Sequence, residues 1–153
     1  HLYLPGKRNG LVNRQAAKRS QTLILTESII DALTLYDQGF KNVMPIYGTN
    51  GLIDEHLFFF NRKIKEAYLV FDADEAGRKA AKSVSLQLKE KNIISYVIDL
   101  PVKDVNIYFN RHTPEEFETL LKKANPRSLE QSDKINTRKQ SLYKETDHGF
   151  IVG

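Results

Sequence analysis

The chain has 153 residues, of which 41% are hydrophobic and 27% charged, and it carries a formal net charge of +4. That length and balance suit one domain with a proper core and exclude wholesale disorder. No apolar run approaches the roughly 18 residues a membrane helix needs, and His1-Leu2-Tyr3-Leu4-Pro5 turns basic too soon for a signal peptide, so a cytoplasmic protein with no membrane contact is expected.

Residues 1–20 are basic and broken by Pro5-Gly6 and Asn9-Gly10, a pattern that predicts turns or a short hairpin. Leu23-Ile24-Leu25-Thr26 predicts the first strand and Glu27 ends it. Ser28 to Tyr36 has helical spacing of apolar residues, with Gly39 as the residue after the C-cap. Val43-Met44-Pro45-Ile46 predicts a short second strand, placed at a sheet edge by Pro45, before a Gly48-Thr49-Asn50-Gly51 turn. A helix is expected over Asp54 to Phe60; adjacent rings on a helix point in different directions, so at least two of Phe58, Phe59 and Phe60 belong to the core rather than to a base-stacking surface. The third strand, ending Tyr68-Leu69-Val70-Phe71, stops in Asp72-Ala73-Asp74. A helix from about Ala76 to Lys91 follows, then a fourth strand over Ile93 to Ile98 closed by Leu100-Pro101. Thr113, Pro114, Glu115 and Glu116 mark the start of a last helix running to about Lys123. From Asn125 the chain reads as a polar linker, and Phe150-Ile151-Val152 as the start of a strand with nothing after it to pair; with a start at His1, this suggests a segment of a longer protein. Strands alternating with helices imply a parallel, doubly wound α/β sheet.

Glu27, Asp72 and Asp74 each follow a predicted strand, and parallel strands set such positions on one rim, where open α/β sheets bind ligands. Carboxylates crowded there repel one another unless a hard cation such as Mg²⁺ neutralises them. Helix capping accounts for Asp74, and a Ser28-x-x-Asp31 capping box for Asp31, but neither accounts for Glu27 or Asp72. Lys7, Arg8, Arg14, Lys18 and Arg19 all precede the first acid, Glu27, and a basic arm beside an acidic pocket suits an enzyme acting on a polyanion; a solvated flank is the plainer reading. Gly77 would permit close backbone approach, and Arg78 lies where it could meet a phosphate. The absence of cysteine excludes thiolate zinc sites within this sequence, and His1, His56, His112 and His148, scattered without ligand spacing, read as surface residues.

These residues together resemble a known family. Glu27 after a strand, Asp31 on the next helix, the Gly48-Thr49 turn and Asp72-Ala73-Asp74-Glu75-Ala76-Gly77-Arg78-Lys79-Ala80-Ala81 are similar to the TOPRIM domain of DnaG-type primases, topoisomerases and several nucleases. The match is to the primase branch, whose post-sheet motif is resembled by Leu100-Pro101-Val102-Lys103-Asp104-Val105-Asn106, and whose zinc-finger-bearing members have a lead-in similar to Leu2 to Leu11. The resemblance implies a TOPRIM (Rossmann-like) fold of about four mainly parallel strands flanked by helices over residues 21–124. Residues 1–20 would then end an upstream template-binding subdomain, and 125–153 form a linker and a following segment. It implies nucleotidyl transfer with Glu27 as acid/base, Asp31, Asp72, Asp74 and Asp104 holding Mg²⁺ (or Mn²⁺), and Asn106, Gly48, Thr49, Gly77 and Arg78 in weaker metal or nucleotide contacts. The basic arm would track single-stranded DNA template, ribonucleoside triphosphates would be the substrates, and a replicative helicase would be met through other domains. Two departures stand out: Ser28 where Gly is usual, and Asn106 in place of a second Asp.

Three alternatives compete with a primase. One is a TOPRIM nuclease or topoisomerase. Another is a haloacid-dehalogenase-like phosphatase, against which the Asp-x-Asp follows the third strand rather than the first. The last is a module that binds nucleic acid or a replication partner without catalysis.

Overall fold

The computed structural model describes residues 13–46, 51–60 and 63–125, without the Glu55 side chain. Four strands, β1 (Thr22–Thr26), β2 (Val43–Pro45), β3 (Glu66–Val70) and β4 (Ile94–Val97), pair in parallel in the order β2-β1-β3-β4. The central strands are buried on both faces, as parallel strands covered by crossover helices must be. Leu23 and Leu25 of β1, with Ala67 and Leu69 of β3, pack with α1 (Arg14–Arg19), α3 (Asp54–Phe60) and α4 (Glu75–Glu90). Ile24, Tyr68 and Val70 point to the other face, against α2 (Ile29–Asp37), α5 (Val105–Tyr108) and α6 (Pro114–Ala124). The doubly wound expectation holds, and β2, with its proline, is an edge strand.

Local signals set the helix ends. Ser28 Oγ accepts from the Asp31 amide, Asp74 caps α4, and Thr113 Oγ1 accepts from Glu116 ahead of Pro114. Gly39 follows the α2 C-cap with φ +106°, a left-handed conformation natural to glycine. Phe60 is buried and Phe59 packs against the same core, while Phe58 is exposed, in line with the expected split.

Three expectations need correction. Six residues of the expected turn region, Arg14–Arg19, form a helix, because Ala16 and Ala17 find a buried place in the core. The short helix α5, on which no expectation bore, follows Asp104, whose carboxylate caps it by accepting from the Ile107 amide. Asn125 is buried, its side chain donating to the Tyr68 hydroxyl at 3.0 Å, so it closes the domain rather than opening a linker. His56 is fully buried: its Nδ1 accepts from the Ile53 amide at 3.2 Å, leaving Nε2 to meet the Pro45 carbonyl at 3.3 Å. Such a ring packs like an apolar side chain once both nitrogens are satisfied. His1, His148 and residues 126–153 lie outside the described residues.

Candidate active site at the carboxyl rim of the sheet

The register aligns Thr26 with Val70 at the carboxyl ends of β1 and β3, so Glu27 and Asp72 emerge side by side. Their junction is specific: the Glu27 Oε1 accepts from the Asp72 backbone amide at 2.8 Å. Beside it, the Ala73 amide donates to the Lys103 carbonyl at 2.7 Å, which draws the segment after β4 and its Asp104 to the same rim. Asp31 enters from the first turn of α2, buried to 7% exposure.

Gly77 closes the site from below. A Cβ there would lie deep inside contact distance of the Asp72 carbonyl and 2.9 Å from Glu27 Oε1, so only hydrogen fits where α4 meets the β3 loop. Its amide donates to Asp74 Oδ1 at 2.7 Å, the N-cap bond that starts α4. Arg78 is exposed and lines a groove of about 330 Å³ with Asp72, Gly77 and Asp99.

The carboxylates differ in how they are held. Asp31 is engaged at both oxygens, Oδ2 by the Ser28 hydroxyl at 2.7 Å and Oδ1 by the Asn106 side-chain amide at 2.9 Å. Asp74 and Asp104 each use one oxygen as a helix cap. The Asp72 carboxylate takes no hydrogen bond from another described residue, and Lys103 is the cation that acts on it. Among the described residues no three acidic or histidine side chains close into a ready cage for a metal ion. The four acids of the expected metal set share one rim without gathering round one point, which suits an ion that keeps several waters and takes only one or two carboxylates besides substrate phosphate.

Burial first, and the neighbouring charges after it, raise the proton affinities of Glu27, Asp31 and Asp72. Burial raises the Glu27 carboxyl; the Asp72 amide opposes this, and the charges of Asp72, Asp74 and Asp31 add to it. Burial likewise raises Asp31, with the Ser28 hydroxyl opposing and Asp104 adding. Asp72 is raised by burial first and then by Asp31, Asp74 and Asp104, against Lys103. This is the signature of an anionic site that favours a cation, and such shifts concentrate where chemistry is done.

A stability prediction follows from the sign of these shifts. A carboxyl whose folded value is raised holds its proton better in the folded chain than in the unfolded one. Its penalty is absent where both states are protonated, grows as pH climbs through the interval between the ordinary value, about 4, and the raised one, and persists at neutral pH. In cation-free buffer, Asp72→Asn is therefore expected to raise Tm at pH 7, with the gain shrinking as pH falls toward about 4. Thermal unfolding across that range checks this; a gain that does not vary with pH would contradict it.

The structure separates the basic arm from the acids. Arg14, Lys18 and Arg19 lie on α1, which leads into the amino end of β1, and Arg14 sits over the Phe59 ring at 5.4 Å. Lys41, Lys63 and Lys65 likewise precede β2 and β3. The described part of the arm thus lies toward the amino ends of the strands and the acids of the site at the carboxyl ends, roughly 17 Å apart for a five-residue strand. The described part of the arm does not stand beside the acidic pocket as expected. Lys7, Arg8, Gly48 and Thr49 lie outside the described residues. Two contributors went unmarked in the sequence: Lys103, directly before Asp104, and Thr34, one helical turn beyond Asp31, whose hydroxyl donates to Asn106 Oδ1.

Comparison with known proteins adds to this geometry. A family model described as Toprim-like matches residues 24–109. The DNA primase of Listeria monocytogenes is 30% identical over 143 residues, covering 90% of this chain and 22% of that protein. A Staphylococcus aureus DNA primase is 31% identical over 121 residues, covering 76% and 20% respectively. The chain thus spans about a fifth of the length of these relatives. Among solved structures, the Aquifex aeolicus primase (zinc binding and RNA polymerase domains) superposes with a TM-score of 0.65 at 26% identity, over 88% of this chain and 33% of that one. A DNA primase domain from Pseudomonas aeruginosa, at 22% identity over 73% of this chain and 36% of its own, shares the fold with a TM-score of 0.63.

Proposed function

The chain belongs to the Toprim-like family, and from that premise we propose that it is the catalytic segment of a DNA primase, joining ribonucleotides into RNA primers on single-stranded DNA. The observation that carries this reading is the Glu27–Asp72 junction. One hydrogen bond locks the half-buried Glu27 carboxylate against the end of β3, and leaves Asp72 without a hydrogen-bonding partner among the described residues and facing the rim. The primase relatives support a polymerising reaction over the nuclease and topoisomerase alternatives.

The donor set fits a hard divalent cation: oxygen ligands only and like-charged, with the proton affinities of Asp31 and Asp72 raised. Asp72 would hold it first, with Asp74, Asp31 and Asp104 around it. Mg²⁺, or Mn²⁺ in its place, supplies charge neutralisation and Lewis acidity toward phosphate oxygens. In the reaction a primer 3′-hydroxyl attacks the α-phosphate of a ribonucleoside triphosphate, the new P–O bond forms and pyrophosphate leaves. Glu27 accepts the hydroxyl proton at its second oxygen, and its raised affinity brings it toward the value a general base needs near neutrality. Arg78 and the Gly48-Thr49 turn would meet the phosphates. Lys7, Arg8, Arg14, Lys18 and Arg19 would hold template phosphates away from the rim. A replicative helicase would be met through other parts of the parent protein. No described helix is long and apolar enough to cross a membrane, and we place the protein in the cytoplasm with the replication machinery.

Mn²⁺ titration of wild type against Asp72→Asn combined with Asp74→Asn tests the site. Loss of two charges should weaken binding at least about tenfold, the effect of 1.4 kcal/mol. Unchanged affinity in the double variant would defeat the assignment.

A further inference from the structure

Asn106 stands on α5, which packs against α2, and its side chain faces Asp31. A carboxylate only accepts hydrogen bonds, so the Asn106 nitrogen must be the atom turned toward Asp31 Oδ1 at 2.9 Å. The amide oxygen is thereby left to the Thr34 hydroxyl, one turn along α2 from Asp31. Ser28 holds the other Asp31 oxygen. The resulting chain, Ser28–Asp31–Asn106–Thr34, satisfies Asp31 on both oxygens and occupies the Asn106 oxygen that would otherwise be the metal-binding atom.

We propose that Asn106 is a positioning residue, a neutral clamp that orients Asp31 by hydrogen bonding where a carboxylate at the same position would demand a bridging cation. The proposal rests on the metal-dependent reading of the rim and narrows it: cation binding centres on Asp72, and Asp31 is presented in a fixed orientation beside it. A carboxylate at position 106 would instead face Asp31 across the present 2.9 Å, and two acids that close cannot both ionise without a shared proton or a cation.

Thermal unfolding of wild type, Asn106→Asp, and the exchange variant Asp31→Asn with Asn106→Asp tests this without reference to activity. In cation-free buffer Asn106→Asp should unfold about 5 °C lower, a typical shift for a kilocalorie-scale loss in a small domain. The exchange variant, which keeps one amide and one carboxylate, should recover most of that loss and rescues the test if the single variant does not fold. Asn106→Ala should bind Mn²⁺ within about twofold of wild type, because the amide is not a ligand, while turnover in the parent protein at saturating Mg²⁺ falls. The clamp is overturned if Asn106→Asp is as stable as wild type, if the exchange recovers nothing, or if Asn106→Ala loses metal affinity tenfold. Recovery by the exchange variant, together with a wild type that binds no Mn²⁺, would support the clamp while sinking the metal-dependent reading.

Discussion

Gly77→Ala should lower folding stability by about 3 kcal/mol or more, among the larger losses a single added methyl can cause. The new Cβ would run into the Asp72 backbone carbonyl, not the end of a flexible side chain, and into Glu27 Oε1 at 2.9 Å. Relief requires α4 to move off β3, yet α4 is anchored by buried Ala80, Ala81, Val84 and Leu88, and by the Asp74 cap on this same glycine's amide. The strain should therefore spread to the Glu27–Asp72 bond and cost activity along with stability. Chemical denaturation reads the stability, and nucleotidyl transfer by the parent protein reads the activity. A variant that unfolds at the wild-type denaturant midpoint would show that the backbone can yield.

Glu27→Gln separates chemistry from architecture. The glutamine oxygen can still accept from the Asp72 amide, so the 2.8 Å bond and the junction it makes should survive. What disappears is the ability to take a proton, and nucleotidyl transfer in the parent protein should fall by roughly 10²–10⁴, the usual contribution of a general base. Removing a half-buried charge that Asp72, Asp74 and Asp31 all repel should leave cation-free stability unchanged or higher. Single-turnover rates beside thermal unfolding check both halves; a variant that loses stability and rate together would make Glu27 a structural residue.

The features that carry the site were legible in the sequence because they are local. Apolar runs ending in Glu27 and in Asp72-Ala73-Asp74 predict parallel strands with acids on one rim, and Ser28, Asp74 and Thr113 each announce a helix start within four residues. What could not be read depends on contacts made far along the chain. Burial of His56 needs the Pro45 carbonyl, and the helix Arg14–Arg19 exists because two alanines meet a core built from later strands. The orientation of Asn106 is set by Asp31, 75 residues earlier. The misplacement of the basic arm is different in kind. Residues just before a strand lie at its amino end, so a parallel sheet already puts Lys18 and Arg19 opposite the acids, and topology rather than charge proximity was the guide to use.

Joining of nucleotides at the rim is the reading on which the other roles depend. Its most direct test is synthesis from labelled ribonucleotides on single-stranded DNA by the parent protein, with and without Mg²⁺, in wild type and Glu27→Gln. Short RNA products that require the divalent cation and are lost in the variant are the expected result. Shortened template with no RNA product, or wild-type synthesis by Glu27→Gln, would contradict it.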